Sequence, residues 1–143
     1  MDIGWASAGD LPEIRKLLRA CALDDTDVVG AGQRFLQARS GAELLGCIGL
    51  EVHGPDALLR SFAVAPARRR RGLGAALHDR AVKEAGALGV RLLFLLTTTV
   101  RERAARAGFT DLPRDLVSPS IRDGTQFRSG CPASAACMVL RIA

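Results

Sequence analysis

The chain has 143 residues, of which 48% are hydrophobic, and its net charge is +5. This length fits one domain whose core needs no metal or disulfide, and no apolar run approaches the roughly 20 residues that span a bilayer. The first residues lack the basic and apolar regions of a secretion signal, so we expect a cytoplasmic protein without a membrane segment.

The cysteines and histidines do not follow a metal-binding pattern. Zinc sites usually pair cysteines at CxxC spacing, whereas Cys21, Cys47, Cys131 and Cys137 are irregularly spaced. We therefore expect free thiols and no metal. Arginine supplies nearly all of the positive charge, and charge alone leaves nucleic acid, an anionic cofactor and a solvated surface open as explanations.

The first half of the chain predicts a strand, a helix and an antiparallel hairpin. Asp10 stands as an N-cap with Glu13 at the capping-box position, which predicts a helix that ends near Ala20. The polar segment 24–32 is expected to be a loop or a weak helix. Alternating apolar residues and turn signals predict strands over 3–6, 34–39, 43–53 and 57–64.

The second half predicts helices on either side of a buried strand. Apolar residues recur at helical spacing over 72–88, while 90–96 is almost continuously apolar, as in a central strand covered on both faces. Gly108 should end a short helix over 101–107. A helix near 119–127 and a strand over 136–142 complete the chain, so we predict a mixed α/β sheet.

The turn between strand 57–64 and the following helix favours phosphate binding. Free N–H groups at a helix start attract anions, and glycines at 72 and 74 allow the backbone to approach closely. A Walker A loop would need a lysine after the second glycine, and a dinucleotide fingerprint would need Gly or Ala where Leu77 stands. Neither motif matches.

The same segment resembles a known signature. Val64-x-Pro66-x-x-Arg69-x-x-Gly72-x-Gly74-Ala75-x-Leu77 is similar to the R/Q-x-x-G-x-G/A motif of the GNAT N-acetyltransferases, in its strand-turn-helix setting. The order of elements agrees over nearly the whole chain, and Gly108-Phe109 resembles the closing Gly-Phe of the family. The resemblance implies the GNAT acyl-CoA N-acyltransferase fold, an α/β domain over residues 1–143 whose mostly antiparallel central sheet is flanked by helices.

The resemblance also implies acetyl-CoA as co-substrate. Backbone groups of Phe62 and Val64 would bind the pantetheine arm, and amides from Arg69 to Gly74 would hold the pyrophosphate. Arg70 stands where glycine is commonest in the family, and some of the clustered arginines must face water. The implied cofactor-binding residues are Phe62, Ala63, Val64, Arg69, Arg70, Arg71, Gly72, Leu73, Gly74 and Ala75.

Three further segments resemble a subgroup of these transferases that is associated with bacterial arsenic-resistance genes. The segments are 59–64, 95–99 and 127–138. Members of the subgroup are often labelled amino-acid N-acetyltransferases, which implies a small-molecule amine acceptor. Protein N-termini and lysines remain alternative acceptors. For the oligomeric state, a homodimer remains open.

Acetyl transfer needs a neutral amine, a polarised carbonyl and a proton for the departing thiolate. Many family members use a tyrosine for the last step, but this chain has none, and Ala104 stands at the corresponding position. Water, the amine or a nearby Ser, Thr or Cys must take that role. For the base we predict Glu51, directly or through water, with His53 as a weaker candidate.

An arginine inside an apolar strand marks the predicted acceptor site. Hairpin register places Arg60 opposite Glu51, so its carboxylate partner is either Glu51 or the acceptor itself. Thr97 follows the central strand at the end where open α/β sheets place ligands, although its hydroxyl could simply close the strand. Arg128 and Cys131 complete the predicted substrate-binding set, and two arginines would select a carboxylate. For the segment from Cys131 to Cys137, the sequence favours a plain packed loop with one buried thiol over a wall of the acceptor site.

Two other functions compete with acetyl transfer. A GNAT domain without activity could bind CoA only, and the missing tyrosine favours that hypothesis. A nucleic-acid-binding module could use the arginines at 68–71, but the chain has only five Phe and one Trp for base stacking. We therefore expect no nucleic-acid partner.

Overall fold

The protein is described here by a computed structural model that covers residues 1–26, 28, 32–69, 72–97, 101–122 and 135–142. The strands are β1 Asp2–Trp5, β2 Gln33–Ser40, β3 Glu43–His53, β4 Asp56–Val64, β5 Leu92–Thr97, β6 Thr110–Asp111 and β7 Ala136–Arg141. The helices are α1 Leu11–Ala20, α2 Leu73–Ala87, α3 Arg101–Arg106 and α4 Pro119–Arg122. The strands form a mixed sheet in the order β1-β2-β3-β4-β5-β7-β6, which confirms the predicted fold class.

Contacts group the chain into two compact units. The first unit is Met1–Glu51 with Arg60–Glu84, and the second is Val52–Leu59 with Ala85–Ala143. The chain passes from one unit to the other within β3, within β4 and within α2.

The first unit contains an antiparallel meander covered by α1. Strand β1 pairs with β2, and β2 pairs with β3 from Gln33↔Glu51 to Ser40↔Glu43. Apolar residues of α1 recur three or four positions apart, so they share one face, and each large side chain buried there stabilises the fold by roughly 1.5–3 kcal/mol. The buried cluster consists of Ile14, Leu17, Leu18, Val28, Phe35, Cys47 and Ala63.

The second unit is built around β5. This strand runs parallel to the start of β4 and antiparallel to β7, from Leu92↔Arg141 to Thr97↔Ala136. Both edges of β5 are paired, and its residues 93–97 are buried, as the sequence predicts for a central strand. The cluster in this unit consists of Leu58, Phe94, Leu96, Val117, Ile121 and Cys137.

The start of α1 differs in one respect from the capping prediction. The helix begins at Leu11, but Asp10 makes no side-chain cap bond to it. The Asp10 carboxylate instead accepts from the Ser7 N–H at 2.8 Å and the Ser7 hydroxyl at 3.0 Å. These bonds, the backbone one above all, hold the pKa of Asp10 below its usual value. Glu13 pairs with Arg39 at 3.0 Å rather than completing a capping box.

Two elements near the C-terminus were predicted incompletely. The two-residue strand β6 was not predicted, because it is too short to show a period. Helix α4 corresponds to the start of the predicted 119–127 helix and is described to Arg122 only, since the residues after it lie outside the described part. Across the described residues, no helix is long and apolar enough to cross a membrane.

Candidate active site

Strand β4 is paired with β5 over only part of its length. Among the described residues, which on the β5 side end at Thr97, the pairing covers residues 56–59, although β4 continues to Val64. Beyond that point the N–H of Ala65 donates to the Leu45 carbonyl on β3 at 2.8 Å. Strand alternation therefore turns the backbone groups of Phe62 and Val64 towards the opposite edge. Such an edge can bind an extended ligand as an added strand.

The turn that follows β4 leads into the start of α2. Gly72 has a φ of +79°, a backbone conformation that favours glycine. Its carbonyl accepts from the Ala76 N–H at 3.1 Å, which closes the first turn of the helix. The N–H groups from Leu73 onwards lie at the positive end of the helix dipole. A helix start whose dipole favours an anion therefore follows β4 in the chain, after the turn that contains Gly72.

Two of the four clustered arginines are described, and both make contacts within the chain. Arg68 pairs with Glu43 on β3 at 2.9 Å. Arg69 donates from Nε to the Val64 carbonyl at 3.1 Å. These contacts hold both side chains at the turn, which does not favour an extended basic surface for nucleic acid.

Cys21 lies at the open edge of β4, which sequence reasoning missed. Its thiol donates to the Val64 carbonyl at 3.6 Å and accepts from Arg69 Nη2 at 3.5 Å. Cys21 directly follows α1, so its position depends on how that helix packs. No local pattern in the sequence signals this contact.

Glu51 and Arg60 form a buried ion pair. Arg60 Nη1 lies 3.0 Å from Glu51 Oε2, and the exposed fractions of the two side chains are 0% and 15%. The pairing that hairpin register predicts is therefore confirmed. Gly49 provides the space, because a Cβ there would lie 3.0 Å from Arg60 Cγ and 2.8 Å from Phe35 Cε1. Removing one partner of such a buried pair typically costs about 3–5 kcal/mol.

A second carboxylate acts on the same guanidinium. Asp24 Oδ1 accepts from the Thr26 hydroxyl at 2.7 Å and from the Thr26 N–H at 2.9 Å. These bonds, and to a smaller extent the charge of Arg60, hold the pKa of Asp24 below its usual value. Asp24 is therefore ionised at neutral pH, and Arg60 is influenced by two carboxylates of the chain.

Ser61 departs from strand geometry beside this pair. Its φ is +54°, a region that non-glycine residues rarely adopt and that costs about 1–3 kcal/mol. The Ser61 hydroxyl accepts from Arg60 Nε at 3.2 Å, and its carbonyl accepts from the Cys47 thiol at 3.4 Å. Burial raises the pKa of Cys47 to about 12, so this thiol stays neutral and remains a donor.

The other residues predicted for the acceptor site lie in the second unit or outside the described residues. Thr97 is the buried last residue of β5 in the second unit, where it pairs with Ala136. Its predicted contact with an acceptor stays a prediction. The side chains of Arg70, Arg71, Arg128 and Cys131 lie outside the described residues.

A family model supports the resemblance seen in the sequence. The model described as the acetyltransferase (GNAT) family matches residues 7–109, which is more than half of the chain. The match includes β4, the glycine turn and α2.

Several solved structures share the fold. N-acetylglutamate synthase from Neisseria gonorrhoeae, complexed with coenzyme A and L-arginine, is 24% identical with a TM-score of 0.77, and the match covers 98% of this chain and 32% of that one. Rv2747 from Mycobacterium tuberculosis, in complex with CoA, is 24% identical with a TM-score of 0.81 and 99% coverage of both chains. The ribosomal-protein-S18-alanine N-acetyltransferase from Escherichia coli is 21% identical with a TM-score of 0.76, over 99% of this chain and 94% of that one. The chain thus spans about a third of the length of the synthase.

Proposed function

Since the chain belongs to the GNAT family of acetyltransferases, we propose that it transfers the acetyl group of acetyl-CoA to the amine of a small acceptor that carries a carboxylate, such as an amino acid. Enzyme class and co-substrate follow from the family. The acceptor, the base and the individual site residues belong to the proposal.

The open half of β4 is the observation that supports the coenzyme site. Backbone groups of Phe62 and the N–H of Val64 face away from β3, beyond the described pairing with β5. The Val64 carbonyl already accepts from Cys21 and Arg69, so it is not among the groups offered to the coenzyme. The pantetheine arm carries amides that can pair with such an edge as a strand does. The pyrophosphate would then lie against the N–H groups that follow Gly72, where the helix start favours an anion.

Glu51 is the proposed base. An attacking amine must lose its proton, and a carboxylate held in place can accept it directly or through a water molecule. Glu51 is held by Arg60 and retains 15% of its side-chain surface exposed, which is compatible with access from solvent.

Arg60 is the proposed contact for the acceptor carboxylate, and this contact requires a rearrangement, because the Arg60 side chain has no exposed surface and pairs with Glu51 in the structure. A guanidinium presents several N–H donors in one plane and binds a carboxylate with two parallel hydrogen bonds, which an ammonium group does not reproduce. The competing explanation is that Arg60 only stabilises the fold through its ion pair with Glu51. A substitution by lysine separates these explanations.

The test measures CoA thiol release with a panel of amines, each offered with and without a carboxylate. In Arg60→Lys we expect the Michaelis constant of the carboxylate-bearing acceptor to rise several-fold more than that of acetyl-CoA, because a bidentate contact is lost. Arg68→Lys is the matched control, since Arg68 also pairs with a glutamate of β3 but near the surface. A lower melting temperature with equal effects on both kinds of amine would reject the carboxylate contact.

A further inference from the structure

We propose that the Ser61 hydroxyl is a catalytic residue, which donates a hydrogen bond to the sulfur of coenzyme A as the thioester carbon–sulfur bond breaks. This inference rests on the proposed function and names the group that stabilises the leaving thiolate. The chain contains no tyrosine for this task.

The direction of the coenzyme along β4 brings its sulfur to Ser61. With the pyrophosphate at the turn around Gly72, the pantetheine arm runs back along the open edge, past Val64 and then Phe62. The next residue in that direction is Ser61, and consecutive Cα atoms are about 3.8 Å apart. In this arrangement the thioester end of the arm would lie beside this residue.

The hydrogen bonds around Ser61 leave its own hydrogen available. Arg60 Nε donates to the hydroxyl oxygen at 3.2 Å. A hydroxyl carries one donor as well as its acceptor lone pairs, and no described residue accepts its hydrogen. A cationic donor on the oxygen also polarises the O–H bond, because hydrogen bonds in a chain strengthen one another.

The backbone conformation supports a role beyond strand pairing. A φ of +54° inside a strand is strained for serine, and such strain persists where the surrounding structure holds a residue in a required position. Here the Ser61 carbonyl is fixed by the Cys47 thiol and the hydroxyl by Arg60. Both ends of the residue are therefore held while the hydroxyl stays half-buried beside the Glu51–Arg60 pair.

The reaction step balances without a further reactant. The amine nitrogen forms a bond to the thioester carbon, the carbon–sulfur bond breaks, and its electron pair moves to sulfur. The proton that nitrogen loses passes to Glu51 or water and later protonates the thiolate. An alcohol is a weaker acid than a thiol, so Ser61 donates a hydrogen bond and keeps its proton throughout.

The test compares the parent protein with Ser61→Ala and Ser61→Gly. The readout is the pKa of the thiol of bound CoA, measured from the ultraviolet absorbance of the thiolate. A lost hydrogen bond to a charged sulfur should raise this pKa by about one unit and lower kcat by about tenfold or more. Glycine accepts positive φ freely, so agreement between the two variants excludes a backbone effect.

Desulfo-CoA supplies the control for folding and coenzyme binding. Its affinity should be equal in parent and variants, because the analogue lacks the sulfur. A bound thiol whose pKa is the same in all three proteins would overturn the role of Ser61 while leaving the proposed function intact. A parent protein that binds neither CoA nor desulfo-CoA would contradict the proposed function and this inference together.

Discussion

Glu51 illustrates how one side chain can serve the fold and the reaction together. Its carboxylate lies 3.0 Å from Arg60 Nη1 and balances a guanidinium that has no exposed surface. Part of the Glu51 side chain also remains exposed, and a general base must be accessible to its substrate. For any substitution at Glu51, both turnover and stability must therefore be measured.

We predict that Glu51→Gln lowers kcat by about a hundredfold while the affinity for acetyl-CoA barely moves, because the amide cannot accept a proton. Glutamine still offers an oxygen to Arg60, so the variant avoids most of the destabilisation that an unpaired buried arginine would cause. The measurements are steady-state turnover across a pH range, coenzyme titration and thermal unfolding.

Glu43→Gln is the matched control for this prediction. Glu43 also lies on β3 and pairs with an arginine, Arg68, but its side chain is 55% exposed. We expect it to leave turnover unchanged. If Glu51→Gln matches the parent in kcat and in pH profile, Glu51 is structural and the amine loses its proton to solvent.

At the scale of single residues, the sequence predicted contacts that follow from register and missed those that follow from packing. The Glu51–Arg60 pair could be predicted because a short turn fixes which residues of a hairpin face each other. The position of Cys21 depends on the docking of α1 against β4. The positive φ of Ser61 has no local signal either, since serine does not ordinarily favour that region.

Among the elements, β3 shows how a missing side chain makes room for a functional one. A Cβ at Gly49 would lie 2.8 Å from Phe35 Cε1 and 3.0 Å from Arg60 Cγ. We predict that Gly49→Ala destabilises the fold by about 1–3 kcal/mol, because these neighbours are packed and cannot both move. Urea unfolding measures the change.

Gly4→Ala is the control for the effect of alanine in a strand. Gly4 lies in β1, and nothing lies within 4 Å of a Cβ built there. Its free energy of unfolding should stay within about 0.5 kcal/mol of the parent. Equal stabilities for the two alanine variants would show that the space at Gly49 is not needed.

The start of α2 carries the prediction for the coenzyme. Gly74→Val places a branched side chain at the second residue of the helix, where the pyrophosphate is proposed to approach. We expect acetyl-CoA to bind at least about tenfold more weakly, or about 1.4 kcal/mol, in a protein that remains folded. Calorimetric titration measures the affinity.

Gly86→Val tests valine elsewhere on the same helix. A Cβ at Gly86 meets no atom within 4 Å, so this variant should bind acetyl-CoA as the parent does. Unchanged affinity for acetyl-CoA in a folded Gly74→Val variant would show that the turn after β4 is not part of the coenzyme site.

How much of each element the sequence predicted depended on its length and neighbours. Strands β2, β3 and β4 were placed within one residue, because alternation and turn residues agree there. The start of α1 was predicted correctly with Asp10 as the N-cap residue. Its carboxylate, however, accepts from the Ser7 N–H and makes no bond to the helix. Strand β6 has two residues and exists only through its pairing with β7.

For the molecule as a whole, the buried thiol of Cys47 links stability to alkaline pH. Its pKa in the folded protein is about 12, raised by burial from an ordinary value of 9.0. The unfolded chain therefore loses this proton first as the pH rises. The stabilising contribution is complete below pH 9 and declines between pH 9 and about 12.

We predict that Cys47→Ala flattens the decline of the unfolding free energy above pH 9, although its absolute stability is lower because a core side chain is truncated. The comparison uses the slope with pH, obtained from urea unfolding at several pH values. Parallel slopes in the parent and Cys47→Ala would contradict the assignment.

The partial pairing of β4 has a consequence for amide hydrogen exchange. Amides of Leu58 and Leu59 lie where β4 is flanked on both sides, so they should exchange slowly. Those of Phe62 and Val64 face the open edge and should exchange fast until acetyl-CoA is added. Ala65, whose N–H already donates to Leu45, should not respond. Coenzyme binding would thus protect alternate residues of one strand, a pattern that global stabilisation of the fold does not produce.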